Sequence, residues 1–176
     1  MNKFRKLFSA LVFVTALTVV FTSAAAAADL AQVHTTKNGL SFKFPAGWTA
    51  MESAADKTIA VVLMDSAAPT FGMTVTVTED VPAGSLDMTE EQAKEAFSQM
   101  GSDFKMIEYK KTKLAGGDAQ LIEYSVKVND LPMQNRQIMG TVGGKGVIVT
   151  TAFMDMGTVS GLHPIVEAIE ASVALQ

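Results

Sequence analysis

From Gly39 to Phe153 apolar and polar residues take turns in run after run, and short turns rich in glycine, aspartate and asparagine separate the runs. Period-two alternation sends successive side chains to opposite faces, so each run reads as a half-buried strand. Gly39-Leu40-Ser41-Phe42-Lys43-Phe44-Pro45 follows Lys37-Asn38, and the Asn-Gly pair predicts a tight hairpin opening the domain. Pro45-Ala46-Gly47 ends that strand, and Trp48, the single tryptophan, marks where the chain re-enters. Thr58–Met64 and Met73–Thr78 read as further strands. In the second, Met73, Val75 and Val77 face one way and Thr74, Thr76 and Thr78 the other, predicting one buried and one wet face. Phe104–Leu114, Ala119–Val128, Met133–Val142 and Gly146–Phe153 follow, joined by Ala115-Gly116-Gly117-Asp118, Asn129-Asp130 and Gly143-Gly144-Lys145. A parallel return needs a crossover of a dozen or more residues, so these strands are expected to pair antiparallel, mainly as a meander.

Two stretches change period. After Thr89, residues Ala93, Ala96, Phe97 and Met100 fall at i, i+3, i+4 and i+7, with Glu90, Glu91 and Glu95 toward the end where the helix dipole favours anions. Thr89 and Gln92 have capping-box spacing, and Gly101 stops the helix. A last helix is expected from near Leu162, with Pro164 in its first turn, where proline is tolerated. Its stripe of Leu162, Ile165, Val166, Ile169 and Val173 contributes on the order of 10 kcal/mol on burial, before ordering entropy is subtracted. The fold class is therefore α+β: an antiparallel, mainly meander sheet flanked by two α-helices.

The N-terminus departs from this pattern. Lys3, Arg5 and Lys6 precede an apolar run, Leu7 to Phe21, and then small residues from Thr22 to Ala28, which is the organisation of a signal peptide. The apolar run, interrupted by Ser9, Thr15 and Thr18, is short of the roughly 20 residues a membrane span needs. Residues 1–28 are expected to be cleaved before Asp29, leaving 29–176 as a single domain with no stable membrane span. Of 176 residues 148 then remain, enough to bury a core. With Lys3, Arg5 and Lys6 gone, 11 basic side chains face 18 acidic ones, a formal charge of −7. Nucleic acid is a poor partner for such a chain, because phosphate binding needs a clustered positive field. Cysteine is absent, which removes disulfides, thiol chemistry and Cys-ligated zinc and fits a bacterial envelope protein held together by packing.

Three segments of the chain together resemble the DcrB/PsbP-like family: Gly39-Leu40-Ser41-Phe42-Lys43-Phe44-Pro45-Ala46-Gly47-Trp48, Lys113-Leu114-Ala115-Gly116-Gly117-Asp118-Ala119, and Gly144-Lys145-Gly146-Val147-Ile148-Val149-Thr150 with the C-terminal helix. The likeness spans nearly all of 29–176. It implies a small α+β domain in a family of bacterial periplasmic proteins, photosystem accessory subunits and a Ran-binding import factor, none known as an enzyme and none with agreed catalytic residues to carry over. Several bacterial relatives carry a lipobox cysteine; this chain has none.

Each cluster of reactive side chains has a plainer reading beside the chemical one. Gly140-Thr141-Val142-Gly143-Gly144-Lys145-Gly146 suggests a phosphate loop, but the spacing is one short, Gly146 replaces the magnesium-holding Ser/Thr, and a strand follows in place of a helix, so a hairpin turn is expected. Ser102-x-x-Lys105 with Lys111-Thr112-Lys113 hints at serine acyl transfer, yet the serine enters a strand where that chemistry needs a helix start. His34 and His163, the two histidines, lack a Gly-x-Ser-x-Gly elbow, and a capping or surface role is expected for them. Ten methionines follow Met1, among them Met133, Met139 and Met154-Asp155-Met156; they read first as core filler, then as a pliable groove or cuprous ligands. Asp80 and Asp87 bracket a loop that matches no calcium motif. Lys105, Lys110, Lys111 and Lys113 read as the wet side of an edge strand, where lysine blocks sheet-to-sheet aggregation, or as a site for an acidic partner.

No catalytic, metal or cofactor residue is therefore nominated. The expected function is that of an exported, soluble, non-enzymatic envelope protein, periplasmic or alternatively secreted to the medium. It would bind an envelope protein partner through a sheet face or the groove between sheet and helix. The alternative is a periplasmic carrier of a small apolar or metal ligand. A carrier requires an apolar pocket inside the domain, and a partner-binding module an exposed apolar patch of several hundred Å².

Overall fold

Strands form where the sequence alternates, and in two places where it does not. The computed structural model describes residues 29–65, 67, 71–154 and 159–176; the expected signal segment lies outside them. Along the chain the elements are β1 (Gln32–Thr35), β2 (Leu40–Phe44), β3 (Trp48–Ala55), β4 (Thr58–Asp65), β5 (Phe71–Thr78), α1 (Glu90–Ser98), β6 (Ser102–Leu114), β7 (Gly117–Val128), β8 (Leu131–Val142), β9 (Lys145–Phe153), α2 (Val159–Ser172) and β10 (Ala174–Leu175).

The larger sheet has the order β3-β4-β5-β9-β8-β7-β6 and is antiparallel throughout. Two meanders, β3-β4-β5 and β6-β7-β8-β9, meet where β5 pairs with β9, because the segment carrying α1 takes the chain from β5 to the far edge. Two turns of the second meander are tighter than the sequence predicts, and the third, Asn129-Asp130, is as predicted. Ala115-Gly116 (φ 50° and 82°), Asn129-Asp130 (50° and 64°) and Gly143-Gly144 (56° and 77°) are two-residue turns, each with both φ angles positive, the geometry that matches strand twist. Gly117 and Asp118 belong to β7.

A smaller sheet, β1-β2-β10, starts with the Asn-Gly hairpin and ends with two residues of the C-terminus pairing on β2. Neither β3 nor β10 is predicted from alternation. β10 is only two residues long. Most of β3 is exposed on both faces, so no apolar period develops.

The large sheet is covered on one face by β2 and α2, which bring Phe42, Phe44, Val166 and Ile169 onto Val61, Val75, Val149 and Phe153. On the other face α1 seats Ala93 and Phe97 against Ile122, Tyr124 and Met139, with the Phe97 and Tyr124 rings stacked 4.7 Å apart. The capping box holds: Thr89 Oγ1 accepts from the Gln92 backbone N–H at 3.2 Å, and Gln92 Oε1 accepts from that of Thr89 at 2.8 Å. α2 starts at Val159, so Pro164 and His163 lie past its first turn, not within it. Lacking an N–H, Pro164 leaves the Ser160 carbonyl without its usual helix donor.

Candidate functional site: an uncharged sheet face beside an open edge

α1 covers only the β6-β7-β8 half of its face. Across β3, β4, β5 and β9 the register sets Met51, Val62, Thr74 and Thr150 in one row, Ser53, Ala60, Thr76 and Ile148 in a second, and Thr49, Met64, Gly72 and Ala152 in a third. These are the alternate positions of strands whose other residues, Val61, Leu63, Met73, Val75 and Val149, are fully buried. Burial of one face fixes the register, and the threonines and small residues are thereby turned outward. None of the twelve is charged. Met51 and Met64 are 48% and 41% exposed, and the rest of the face is exposed or half-buried.

Four strands, five residues deep, give a footprint of roughly 300 Å². Uncovered apolar patches of about that size on a monomer are often functional, and here apolar side chains alternate with the hydroxyls of Thr49, Ser53, Thr74, Thr76 and Thr150. It is less than half of the ~800 Å² per partner that a standard protein interface buries.

At the seam with the α1-covered half lie Asn135 and Gln137 of β8, opposite Ala152 and Thr150. Both are buried, and Gln137 Oε1 has no hydrogen-bond partner among the described residues. An acceptor left in that state costs about 1–3 kcal/mol.

The opposite face holds a buried ionic cluster that the sequence does not announce. Arg136 is 4% exposed and forks onto Glu170 of α2, Nε to Oε1 at 3.0 Å and Nη2 to Oε2 at 3.0 Å. Its Nη1 reaches Glu123 at 3.3 Å and its Nη2 reaches Glu167 at 3.6 Å. Gln134 donates to Glu123, and His163 Nε2 lies 3.4 Å from the same carboxylate with its ring stacked on Phe153. Burial pushes the Glu170 carboxyl above its ordinary value; Arg136 opposes the shift, and the neighbouring Glu167 carboxylate adds to it. Only β7, β8 and α2 packed together bring these groups into contact, and alternation alone assigns Glu123 to a wet face.

The residues singled out from the sequence do not converge. Gly143-Gly144 is a hairpin turn, and Lys145 donates to the Asn38 carbonyl. With Glu79, Asp80, Val81 and Pro82 the turn lines a surface cleft of about 470 Å³, whose acidic side suits no phosphate. Ser102 and Lys105 lie in β6, the serine opposite Lys127. Lys113 pairs with Asp118 at 2.6 Å and Lys110 with Glu108 at 2.8 Å, so the lysines do line an edge strand. His34 sits 3.0 Å from Glu52 at the surface, whereas His163, expected at a cap or on the surface, is drawn into the ionic cluster by Phe153 and the carboxylates. Asp80 is committed to Lys57 at 2.5 Å, and the Asp87 backbone closes a turn on Gly84. Met73 and Met139 fill core, Met133 packs beside the latter, and Asp155 and Met156 lie outside the described residues. Among the described residues no group of three or more His, Asp or Glu side chains is placed to hold a metal, and no helix is long and apolar enough to cross a membrane.

No protein-family model matches the sequence, and no curated protein matches it. Among solved structures, cyanobacterial PsbP (CyanoP) from Synechocystis sp. PCC 6803 is 19% identical with a TM-score of 0.58, over 88% of this chain and 98% of that one. The fold is PsbP-like. The Ran-binding protein Mog1p of Saccharomyces cerevisiae shares it at 8% identity and a TM-score of 0.57, over 82% of this chain and 94% of that one. LpqN of Mycobacterium tuberculosis, involved in cell envelope biogenesis, shares it at 14% and 0.53, over 82% and 91%. At such identities the common property is the PsbP-like fold, an antiparallel sheet with helices on its faces.

Proposed function

We propose that this protein is an exported, non-enzymatic, DcrB/PsbP-like accessory module of the bacterial envelope, acting in the periplasm after loss of residues 1–28 by binding another protein. The observation that carries the reading is the uncharged half-face of β3-β4-β5-β9, left uncovered by the described chain in a protein of net negative charge. A charge-free, rigid array of threonine hydroxyls and methionine side chains suits a neutral protein surface, which it meets without stranding an ion. The neighbours support the reading: Mog1p is Ran-binding, and LpqN takes part in envelope biogenesis. Of the clefts, the one of about 470 Å³ is rimmed by Glu79, Asp80 and Lys145; a smaller one, lined by Val126, Pro132 and Met133 together with Asp103, Ser125 and Lys127, is more apolar, but its volume of about 210 Å³ is below the roughly 300 Å³ at which small-molecule sites begin, which favours a partner protein over an apolar cargo.

The test is recovery of the protein from its own envelope fraction beside Thr74→Arg and Thr150→Arg variants. Wild type is expected to bring down one protein in fixed ratio, and either arginine, charging the centre of the face, to reduce that yield about tenfold without shifting the unfolding midpoint. Equal recovery from all three refutes the face as the binding site.

A further inference from the structure

The large sheet has two edges, and they are built differently. β6 is guarded by Lys105, Lys110, Lys111 and Lys113 and broken by register shifts between Ser102 and Lys105 and between Met106 and Glu108. Natural sheets use such lysines and bulges to keep foreign strands away. β3 has neither: its register with β4 runs unbroken from Trp48 to Ala55, it contains no lysine, arginine or proline, and Met51 to Ala55 are exposed. The two-residue Asp56-Lys57 turn makes Ala55 and Thr58 a hydrogen-bonded pair, so antiparallel alternation turns the N–H and C=O of Ala50, Glu52 and Ala54 away from β4. Among the described residues, no hydrogen bond outside the β3-β4 ladder reaches the backbone of these three.

We propose that β3 is the docking edge for an extended segment of the partner protein, which adds to the sheet as an eighth strand. The inference rests on the protein-binding reading above and names how the partner is held. Main-chain groups of Ala50, Glu52 and Ala54 supply the hydrogen bonds, and alternate side chains of the added strand extend the uncharged face beside Thr49, Met51 and Ser53. On the other side the added strand meets Glu52, the one charged residue of β3, whose carboxylate lies 3.0 Å from His34, so a lysine or arginine opposite it is expected to join that pair. The same carboxylate weighs against a second copy of this chain, because antiparallel self-pairing centred on Glu52, the middle of the three outward-turned residues, brings two Glu52 side chains together. The added strand also enlarges the contact, which the open face alone leaves short of a standard interface.

Photo-cross-linking of the full chain in the cells that make it separates the possibilities, with p-benzoylphenylalanine placed in turn at Met51 and Ser53 of the edge, at Thr74 and Thr150 of the face, and at Thr112 of β6 as control. Adducts from Met51 and Ser53 are expected to map to one partner segment at residues two apart. Ala54→Lys, which copies the guard on β6, and Ala54→Pro, tolerated on an edge whose N–H points outward, are each expected to lower the edge adducts about tenfold while the fold is retained. Adducts confined to Thr74 and Thr150 overturn the docking edge and leave the protein-binding reading standing. No adduct at any of these four positions overturns both. Partner residues spaced three or four apart show a helix on β3, and an adduct of twice this chain's mass shows self-pairing; either result overturns the added foreign strand.

Discussion

Arg136 is the side chain whose removal should damage the fold most. It is the one guanidinium among Glu123, Glu167 and Glu170, and breaking a buried pair from one side leaves uncompensated charge. Arg136→Met is expected to cost about 3–5 kcal/mol, read in thermal unfolding as a drop on the order of 10 °C. The pH dependence follows from Glu170, whose carboxyl is raised by burial above its ordinary 4.5 against the pull of Arg136. A folded state that holds its proton more tightly than the unfolded chain loses stability as pH rises from the ordinary value through the raised one. Without Arg136 that rise grows, so the variant's deficit should be smaller at pH 4.5 than at about pH 7; a deficit independent of pH contradicts the cluster as described. Ala115 offers a change of opposite sign. It holds φ of 50° in a turn where asparagine fits better, and Ala115→Asn should raise stability by about 0.5 kcal/mol in denaturant melts. The turn was legible from Ala115-Gly116, whereas the ionic cluster was not, because its members come from three elements and the β7-β8 part of the sheet is covered on both faces.

β3 tests how the edge is built. If Ala50, Glu52 and Ala54 point their amides outward, their hydrogen exchange in the free protein should be fast, while Met51 and Ser53 between them are protected by β4. Protection spread evenly along β3 would mean that another segment already pairs there. β5 shows when alternation is sufficient: Met73, Val75 and Val77 are buried and the three threonines between and beyond them turned out, as the sequence predicts, because one face of that strand meets the core and the other meets solvent. β3 lacked that signal, since most of it reaches no core on either face. The capped α1 was readable down to its Thr89-Gln92 pair. The start of α2 was not, because Pro164 invites an N-terminal placement although the helix begins at Val159.

The molecule as a whole combines a tightly packed PsbP-like fold with a half-face free of charge, although the sequence carries 18 acidic side chains. The α+β class and its antiparallel pairing follow from the spacing of short turns. The order of the large sheet does not, because only the route of α1 decides that β5 pairs with β9. The open face was legible only as the wet side of β5; that it continues uncharged across β3, β4 and β9 depends on register. Native mass spectrometry of the protein taken gently from its own envelope fraction tests the central claim most directly. A protein partner in stoichiometric ratio is the predicted result, and retention of a bound species of a few hundred daltons with no protein partner would contradict it.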